Sequence, residues 1–169
     1  MSDARVPLAD LPDDVQALLR QLDQPPVNLY RALANNPELL RAWAGFSSTL
    51  RWNSSTPRPL RELLILRVAQ LTKAEYEWRH HVVMGRAAGL SDEQVAGLAE
   101  WRSSSLFGES ERAALAYAEG MTAGSVPDDV AAELARHFDP GAVVELTLTA
   151  GFYNMVSRVL DALRIDMEA

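Results

Sequence analysis

Cysteine is absent from the 169-residue sequence. Its absence excludes disulfides, thiolate metal ligands, thiol nucleophiles and dithiol redox chemistry, because each of these needs a sulfhydryl group. No thiol-based mechanism is therefore open to this chain.

Basic residues are few and scattered. Lys73 is the only lysine, no basic cluster occurs along the chain, and the formal net charge is -7. Phosphate binding needs a concentrated basic face that displaces counterions. We therefore expect no nucleic-acid partner.

Long apolar runs, repeats and low-complexity segments are also missing. No run approaches the roughly 20 residues that cross a bilayer. The stretch at residues 1–14 lacks the apolar core of a secretory signal. These observations predict a cytoplasmic protein without a membrane partner, and they exclude a solenoid.

Hydrophobic residues make up 48% of the sequence and recur at spacings of three and four, which is the period of amphipathic helices. No stretch shows convincing strand alternation. The predicted helices include Asp10–Leu22, Pro37–Trp52, Pro59–Leu71, Ala74–Ala88 and helices beginning near Ser91, Ser110, Pro127 and Pro140, the last with an apolar run from Ala142. The fold class is therefore all-α, a single-domain bundle of about eight helices.

Several residues mark predicted helix ends. Asn36 precedes Pro37 as a capping side chain, and Gly89 is placed to end a helix in the left-handed conformation. Ser91 begins a capping box, and Ser110 is positioned to cap a later helix. In the last predicted helix the run from Ala142 to about Ile165 is apolar on nearly every face, so we expect a homo-oligomer.

The densest polar constellation runs from Ala74 to His81, directly after the most apolar helix. Glu77 and His81 are four residues apart, so a helix places them on one face, where the carboxylate can orient the imidazole and raise its basicity. The same pair also occurs on solvated helix faces, and His80 is an allowed alternative partner of Glu77. Spacing alone leaves these interpretations open.

Glu62 lies within the preceding apolar helix. If the two helices pack together, Glu62 could approach His81 or Glu77 and complete an acid–base cluster in a partly desolvated pocket. Helix spacing fixes only the relation between the other two residues.

Three further residues are candidates for substrate binding. Tyr76 and Trp78 could shape a cavity, although aromatic residues at helical spacing more often belong to a core. Arg67 needs a partner in so apolar a helix, which could be Glu62, Glu77 or a substrate carboxylate, and an internal salt bridge is the favoured choice.

Metal and cofactor signatures are not found. The nitrogen and oxygen donors His80, His81, His137, Glu62 and Glu77 form no HExxH or comparable pattern. Hydrolase, phosphate-loop and dinucleotide fingerprints are missing too. We predict no metal and no cofactor.

The stretch LRELLILRVAQLTKAEYEWRHHVVMGRAAGLSDEQVAGL resembles the core of the carboxymuconolactone decarboxylase and alkyl hydroperoxidase D-like family. In that family a helix ending in ILRVA precedes a helix with E-x-x-x-H and then GLS-x-E. The stretch VVELTLTAGFYNMVSRVLDALRI is similar to the family's last long helix. The resemblance implies an alkyl hydroperoxidase D-like bundle, with residues 1–56 as an N-terminal helical extension and residues 57–169 as the family core.

The resemblance also implies which branch of the family the chain is similar to. The CxxC positions of the hydroperoxidase branch fall at Ala74 and Glu77, its histidine at His81 and its upstream glutamate at Glu62. A carboxylate cannot form the sulfenate and disulfide intermediates that carry the electrons, so hydroperoxide reduction is disfavoured. The pattern looks like the non-redox decarboxylase members instead.

We therefore expect an enzyme, a decarboxylase-like lyase, doing cofactor-free acid–base chemistry on a small carboxylated or carbonyl compound: decarboxylation, isomerisation or lactone opening. His81 would transfer the proton, Glu77 would orient it or act as the second acid–base group, and Glu62 would tune the pair. The alternative is a non-catalytic family member that binds small molecules or serves as a scaffold. The resemblance further implies trimers, hexamers or related assemblies.

Overall fold

The computed structural model describes residues 4–22 and 25–168, and every regular element in that part of the chain is helical. It contains nine α-helices and one short 3-10 helix, against the eight or so predicted, and the all-α class is confirmed. Contacts divide the chain into two compact units, Met1–Asn53 with Val159–Ala169 and Ser54–Arg158. The single-domain organisation with an extension over residues 1–56 stays a prediction.

The first unit contains α1 (Asp13–Gln21), α2 (Asn28–Leu33) and α3 (Pro37–Trp52). The helix α3 begins as predicted, because the Asn36 side chain accepts a hydrogen bond from the Leu39 N–H at 3.3 Å. The helix α1 begins later than the predicted Asp10, since Pro12 disfavours the helical conformation in the residue before it. One cluster of buried apolar residues in this unit consists of Leu11, Val15, Leu19, Tyr30, Ala34 and Leu40.

The second unit contains the remaining helices. They are α4 (Arg58–Thr72), α5 (Glu75–Ala88), α6 (Asp92–Gly97), a 3-10 helix (Leu98–Glu100), α7 (Glu109–Ala123), α8 (Asp128–His137) and α9 (Pro140–Leu163), of which the part up to Arg158 belongs to this unit. Its main apolar cluster consists of Leu63, Leu66, Leu90, Val95, Leu98, Trp101, Phe107 and Leu115. These side chains come from α4, α6, α7 and the segments that join them, so α4 is the centre of the packing.

The helix α4 is buried on most sides, as its apolar composition predicts. Two charged residues, Arg61 and Glu62, are buried in it together with seven apolar ones. Lys73 ends the helix in the left-handed conformation (φ 56°), and α5 begins two residues later. This short turn folds α5 back along α4 and brings the middle of each helix beside the other.

The ends of the later helices test three predicted caps. Gly89 ends α5 with a φ of 109°. Ser91 forms the predicted capping box, because the Gln94 N–H donates to its hydroxyl and its own N–H donates to the Gln94 side chain, both at 3.1 Å. The prediction for Ser110 is wrong: α7 begins at Glu109, and the Gly108 N–H before it donates to the Glu111 carboxylate at 2.8 Å.

The helix α9 is the longest element, with 24 residues. It begins at Pro140, as predicted from Asp139 and Pro140, because the Asp139 carboxylate accepts the Ala142 N–H at 2.8 Å and proline fits the first helical position. It continues through Gly151 without a break. Within the described residues no helix combines the length and apolarity that a bilayer span requires.

Candidate functional site

Glu62 lies in the middle of α4 and is completely shielded from solvent. One carboxylate oxygen, Oε2, lies 2.7 Å from Nδ1 of His81 on α5. The other, Oε1, forms an ion pair with the guanidinium of Arg58, one helical turn earlier on α4. A buried carboxylate needs such partners because an unpaired charge in the interior is very costly.

His81 lies opposite Glu62 and is 3% exposed. Its Nδ1 donates to Glu62, and its Nε2 lies 3.4 Å from Oε2 of Glu77, one turn earlier on α5. The edge of the ring meets Tyr153 of α9, with ring centroids 4.8 Å apart and planes at 87°. The predicted approach of Glu62 to the imidazole is thus found in the structure. We call Glu62, Glu77 and His81 the acid–histidine cluster.

Charge and burial act in opposite directions on this cluster. Burial alone would raise the pKa of Glu62, but the hydrogen bond from His81 and the positive charges of His81 and Arg58 hold that pKa below its ordinary value. Burial alone would lower the pKa of His81, but its contacts with Glu62 and Glu77 hold that pKa above its ordinary value. Both directions favour a carboxylate facing an imidazolium ion.

The start of α4 is fixed by a carboxylate from α9. Glu145 accepts the backbone N–H groups of Ser55 and Thr56, each at 2.8 Å. The Thr56 carbonyl in turn accepts a hydrogen bond from Arg61 at 2.6 Å. These contacts set the position at which α4 begins, and therefore the position of Arg58 in its first turn.

Gly85 lies one turn after His81 on α5 and packs tightly against Leu90, which follows the helix. A Cβ atom at this position would lie 2.9 Å from Cδ1 of Leu90, 3.5 Å from Cδ1 of Leu66 and 3.6 Å from Cβ of Glu62. The first distance is too short and the other two are ordinary contacts with α4, so glycine leaves room for the Leu90 side chain.

The three residues predicted for substrate binding lie in different environments. Tyr76 is buried, and its ring centroid lies 4.7 Å from that of His80. Trp78 is half-buried against the main apolar cluster of the second unit. Their part in binding a substrate stays a prediction.

Arg67 pairs with neither Glu62 nor Glu77. Its Nε donates to Oε1 of Glu119 on α7 at 2.8 Å, and its Nη1 donates to Gln70 at 2.8 Å. Trp101 donates to the same Glu119 oxygen, also at 2.8 Å. The internal salt bridge is present, but it joins α4 to α7 and not to the acid–histidine cluster.

Two contacts of the site were not predicted from the sequence, that of Arg58 with Glu62 and that of Tyr153 with His81. Arg58 lies four residues before Glu62, a spacing that is typical of an ion pair on a helix. It lies between two prolines, however, which predicted only where the helix begins. Tyr153 lies 72 positions after His81, so no local pattern could place it against the ring.

Two clefts are lined by residues outside the acid–histidine cluster. A cleft of about 490 Å³ in the second unit is lined by Trp101, Arg112, Asp129 and their neighbours, with no cluster residue. A cleft of about 670 Å³ in the first unit is lined by residues of α1 and of the segments beside it.

Among residues 4–22 and 25–168 no three or more histidine and carboxylate side chains are grouped as a metal would require. The absence of a metal from the function stays a prediction.

Comparison with known families gives a match over about half of the chain. The model of the Carboxymuconolactone decarboxylase family matches residues 37–120. This range includes all of α3 to α6 and most of α7. All three members of the acid–histidine cluster lie within it.

A curated relative is the uncharacterized protein YnjA of Escherichia coli (strain K12). It is 37% identical over 109 residues, which cover 63% of this chain and 59% of that protein. The chain thus spans about three fifths of the length of this relative.

Two solved structures resemble the chain over nearly its whole length. The alkylhydroperoxidase AhpD core of an uncharacterized peroxidase-related protein from Ralstonia eutropha JMP134 has a TM-score of 0.83 and 16% identity, covering 99% of this chain and 94% of that one. A cysteine-to-alanine variant of the debrominase Bmp8 in complex with 2,3,4-tribromopyrrole has a TM-score of 0.82 and 20% identity, covering 99% and 95%. The AhpD-like fold is confirmed by these likenesses.

Proposed function

Because the chain belongs to the Carboxymuconolactone decarboxylase family, we propose that it is an enzyme that performs cofactor-free acid–base chemistry with the acid–histidine cluster. The substrate class is a small carbonyl or carboxylated molecule, and the reaction is a decarboxylation, an isomerisation or the opening of a lactone. The observation that carries this proposal is the 2.7 Å contact between Glu62 and His81, with Glu77 at the other ring nitrogen.

Burial of the cluster supports proton transfer in two ways. Glu62, Glu77 and His81 are each at most 5% exposed, so water competes little for their hydrogen bonds. Groups whose pKa values move apart through burial and mutual contact are typical of acid–base sites, although structural ion pairs shift pKa values as well. A proton can therefore move along the cluster without exchange with bulk solvent at each step.

The choice of substrate rests on the family and on one fold neighbour. The debrominase Bmp8 variant holds the small molecule 2,3,4-tribromopyrrole. At 20% identity this likeness shows the fold alone, so dehalogenation is not proposed for this chain. The bound molecule supports only the proposal that this fold takes a small organic ligand. Arg67 is left out of the proposed binding site, because Glu119 and Gln70 already occupy its guanidinium. Tyr76 and Trp78 remain the proposed cavity residues.

A non-catalytic binding or scaffold protein of the same family is the competing function. The observation in its favour is that both ring nitrogens of His81 face carboxylates and the ring is almost fully buried. Such a residue can serve packing alone, as a satisfied charged group in a core.

The two functions are separated by a turnover screen with a matched control. Wild type, E62Q and E133Q would be incubated with a panel of small lactones, oxo acids and unsaturated carboxylic acids, and products identified by mass spectrometry. Glu133 is the control because it also contacts a histidine, His137, at 3.1 Å, but on a partly exposed surface. We expect product with wild type and E133Q and none with E62Q. Binding without turnover of any compound would instead establish the scaffold function.

A further inference from the structure

We propose that Glu77 is the residue that exchanges a proton with the substrate, and that His81 is a positioning residue that donates its two N–H groups to the carboxylates on either side. This inference rests on the proposed function and assigns roles within the same site. It reverses the roles predicted from the sequence, in which His81 transfers the proton.

The geometry of His81 leaves no ring nitrogen for a substrate. Nδ1 lies 2.7 Å from Glu62, Nε2 lies 3.4 Å from Glu77, and the ring edge meets Tyr153. An imidazole that donates from both nitrogens has no lone pair with which to accept a proton. His81 in this arrangement cannot act as a general base.

The charges around the ring balance when the ring is an imidazolium ion. Arg58 and Glu62 face it from α4, Glu77 lies beside it on α5, and the ring of Tyr153 meets it from α9. Two cations then accompany two buried carboxylates. With a neutral ring, Glu77 would lose the charged partner that lies beside it, which the low dielectric of the interior disfavours.

A further cation on α4, Arg61, acts on carboxylates both inside and outside the cluster. It donates to the Thr56 carbonyl at 2.6 Å and interacts with Glu145, the carboxylate that fixes the start of α4, and with Glu62. Its charge therefore adds to that of Arg58 on the Glu62 side of the cluster.

The two carboxylates of the cluster differ in how fully they are engaged. Glu62 is completely buried, and its oxygens are held by His81 and Arg58. The side chain of Glu77 is 6% exposed, and Nε2 of His81 lies 3.4 Å from its Oε2. Glu77 is therefore the less completely buried of the two carboxylates, whereas Glu62 lies between two cations in the interior.

The step assigned to Glu77 conserves atoms and electrons. Its carboxylate takes a proton from the carbon beside a substrate carbonyl, and the C–H electron pair moves into the carbonyl system as an enolate. The neutral acid then returns the proton to a different carbon of the same molecule, which completes an isomerisation. His81 holds the Glu77 carboxylate in place throughout and neither gains nor loses a proton.

The test needs no substrate. Protein labelled with ¹⁵N-histidine would be titrated by NMR between about pH 5 and 9, the range in which histidine charge normally changes, and the His81 signals would be assigned with H81Q. We expect both His81 nitrogens to carry a proton just above pH 6.5, the ordinary pKa of histidine, because the contacts with Glu62 and Glu77 raise the pKa of the ring. A single protonated nitrogen at that pH would overturn the inference, since His81 could then serve as a base, and would leave the proposed function intact.

Two variants test whether Glu77 and the ring are coupled. E77Q should lower the pKa of His81 by about one unit or more, because one carboxylate that favours the imidazolium is lost. E133Q, which alters the surface pair with His137, should leave the His81 titration unchanged. An E77Q titration identical to that of wild type would also overturn the inference.

A kinetic measurement on any substrate found by the panel separates the two roles independently. We expect the kcat/KM of wild type not to rise as His81 loses its proton, because the imidazolium ion holds the reacting carboxylate in place. E77Q should lose turnover and E77D should retain part of it. A kcat/KM that rises as His81 loses its proton would contradict the assignment while supporting acid–base catalysis by the cluster.

Discussion

Glu62 lies between two cations. Arg58 faces one of its carboxylate oxygens, and His81 faces the other. A carboxylate at this depth is stable only while both cations remain, since neither oxygen reaches solvent. The ion pair with Arg58 is therefore expected to matter far more than pairs of the same spacing on the surface.

The first prediction compares two Arg–Glu pairs of equal helical spacing. R58Q should lower the free energy of unfolding by about 1–3 kcal/mol, because Glu62 loses a charged partner in the interior. R79Q, which breaks the exposed pair with Glu75, should cost about 0.5 kcal/mol or less. Urea unfolding at neutral pH would measure both, and equal losses would refute the special position of Arg58.

The second prediction concerns pH and stability. The pKa of Glu62 is lowered from 4.5 and that of His81 is raised from 6.5. The contribution of Glu62 is full above pH 4.5 and is lost as pH falls through its lowered pKa, whereas that of His81 is full below pH 6.5 and is lost as pH rises through its raised pKa.

The stability of wild type should therefore exceed that of H81Q most between about pH 4.5 and 6.5, and the difference should shrink at higher pH. Urea unfolding of both proteins across this range is the measurement. A difference that grows as pH rises above 6.5 would contradict the sign of the shift on His81.

Single residues were predictable where the signal was local. The pair of Glu77 and His81 follows from a spacing of four, and the caps at Asn36 and Ser91 follow from residue type. The contact of Tyr153 with the histidine ring depends on how α9 packs, which no short pattern contains.

At the scale of elements, the packing around the end of α5 depends on Gly85. This glycine leaves room for the Leu90 side chain, whereas Gly45 in the middle of α3 has nothing within 4 Å of an added Cβ. Both glycines lie inside helices, so the two positions form a matched pair in which only the surroundings differ.

The third prediction uses this pair. G45A should raise the free energy of unfolding by about 0.5–1 kcal/mol, because alanine favours a helix more than glycine does. G85A should be less stable than G45A by about 1–3 kcal/mol, since its methyl group meets Leu90 at 2.9 Å and must displace it. Thermal unfolding of both variants would test this, and equal stabilisation by both would show that Leu90 is not tightly packed against Gly85.

The ends of helices were predicted well where all local features agreed on one residue, and less well where two residues could cap the same helix. The helix α3 has the predicted bounds because Asn36, Pro37 and the apolar period agree. At α7 a downstream carboxylate, Glu111, satisfies the backbone before the helix, so Ser110 is not needed as a cap. The salt bridge of Arg67 was foreseen, but its partner Glu119 lies 52 positions away on α7.

At the scale of the whole molecule, the fold is shared with a peroxidase-related protein and a debrominase variant, so the fold does not select the reaction. The site carries a carboxylate at Glu77 in a sequence without cysteine, so its chemistry cannot depend on a thiol. The predicted cytoplasmic location and the substrate stay predictions, because neither follows from the packing of helices.

The fourth prediction is that the protein forms a homo-oligomer, such as a trimer or hexamer. Val144, Leu148 and Met155 are 43–55% exposed at helical spacing on α9, and a continuous apolar face of this kind is typical of an interface. Light scattering after size-exclusion chromatography should give a multiple of 18.6 kDa for wild type and a smaller species for L148D. A wild-type monomer at micromolar concentration would refute it.

The most direct test of the central claim compares two histidines that each contact a glutamate four residues away. His81 contacts Glu77 in the interior, and His137 contacts Glu133 at the surface. The measurement is kcat/KM of H81Q and H137Q on a substrate found by the panel, with folding of both confirmed by circular dichroism. The account predicts a loss of at least about 100-fold for H81Q, as expected for a disrupted acid–base site, and wild-type turnover for H137Q. Full turnover by a folded H81Q would contradict it.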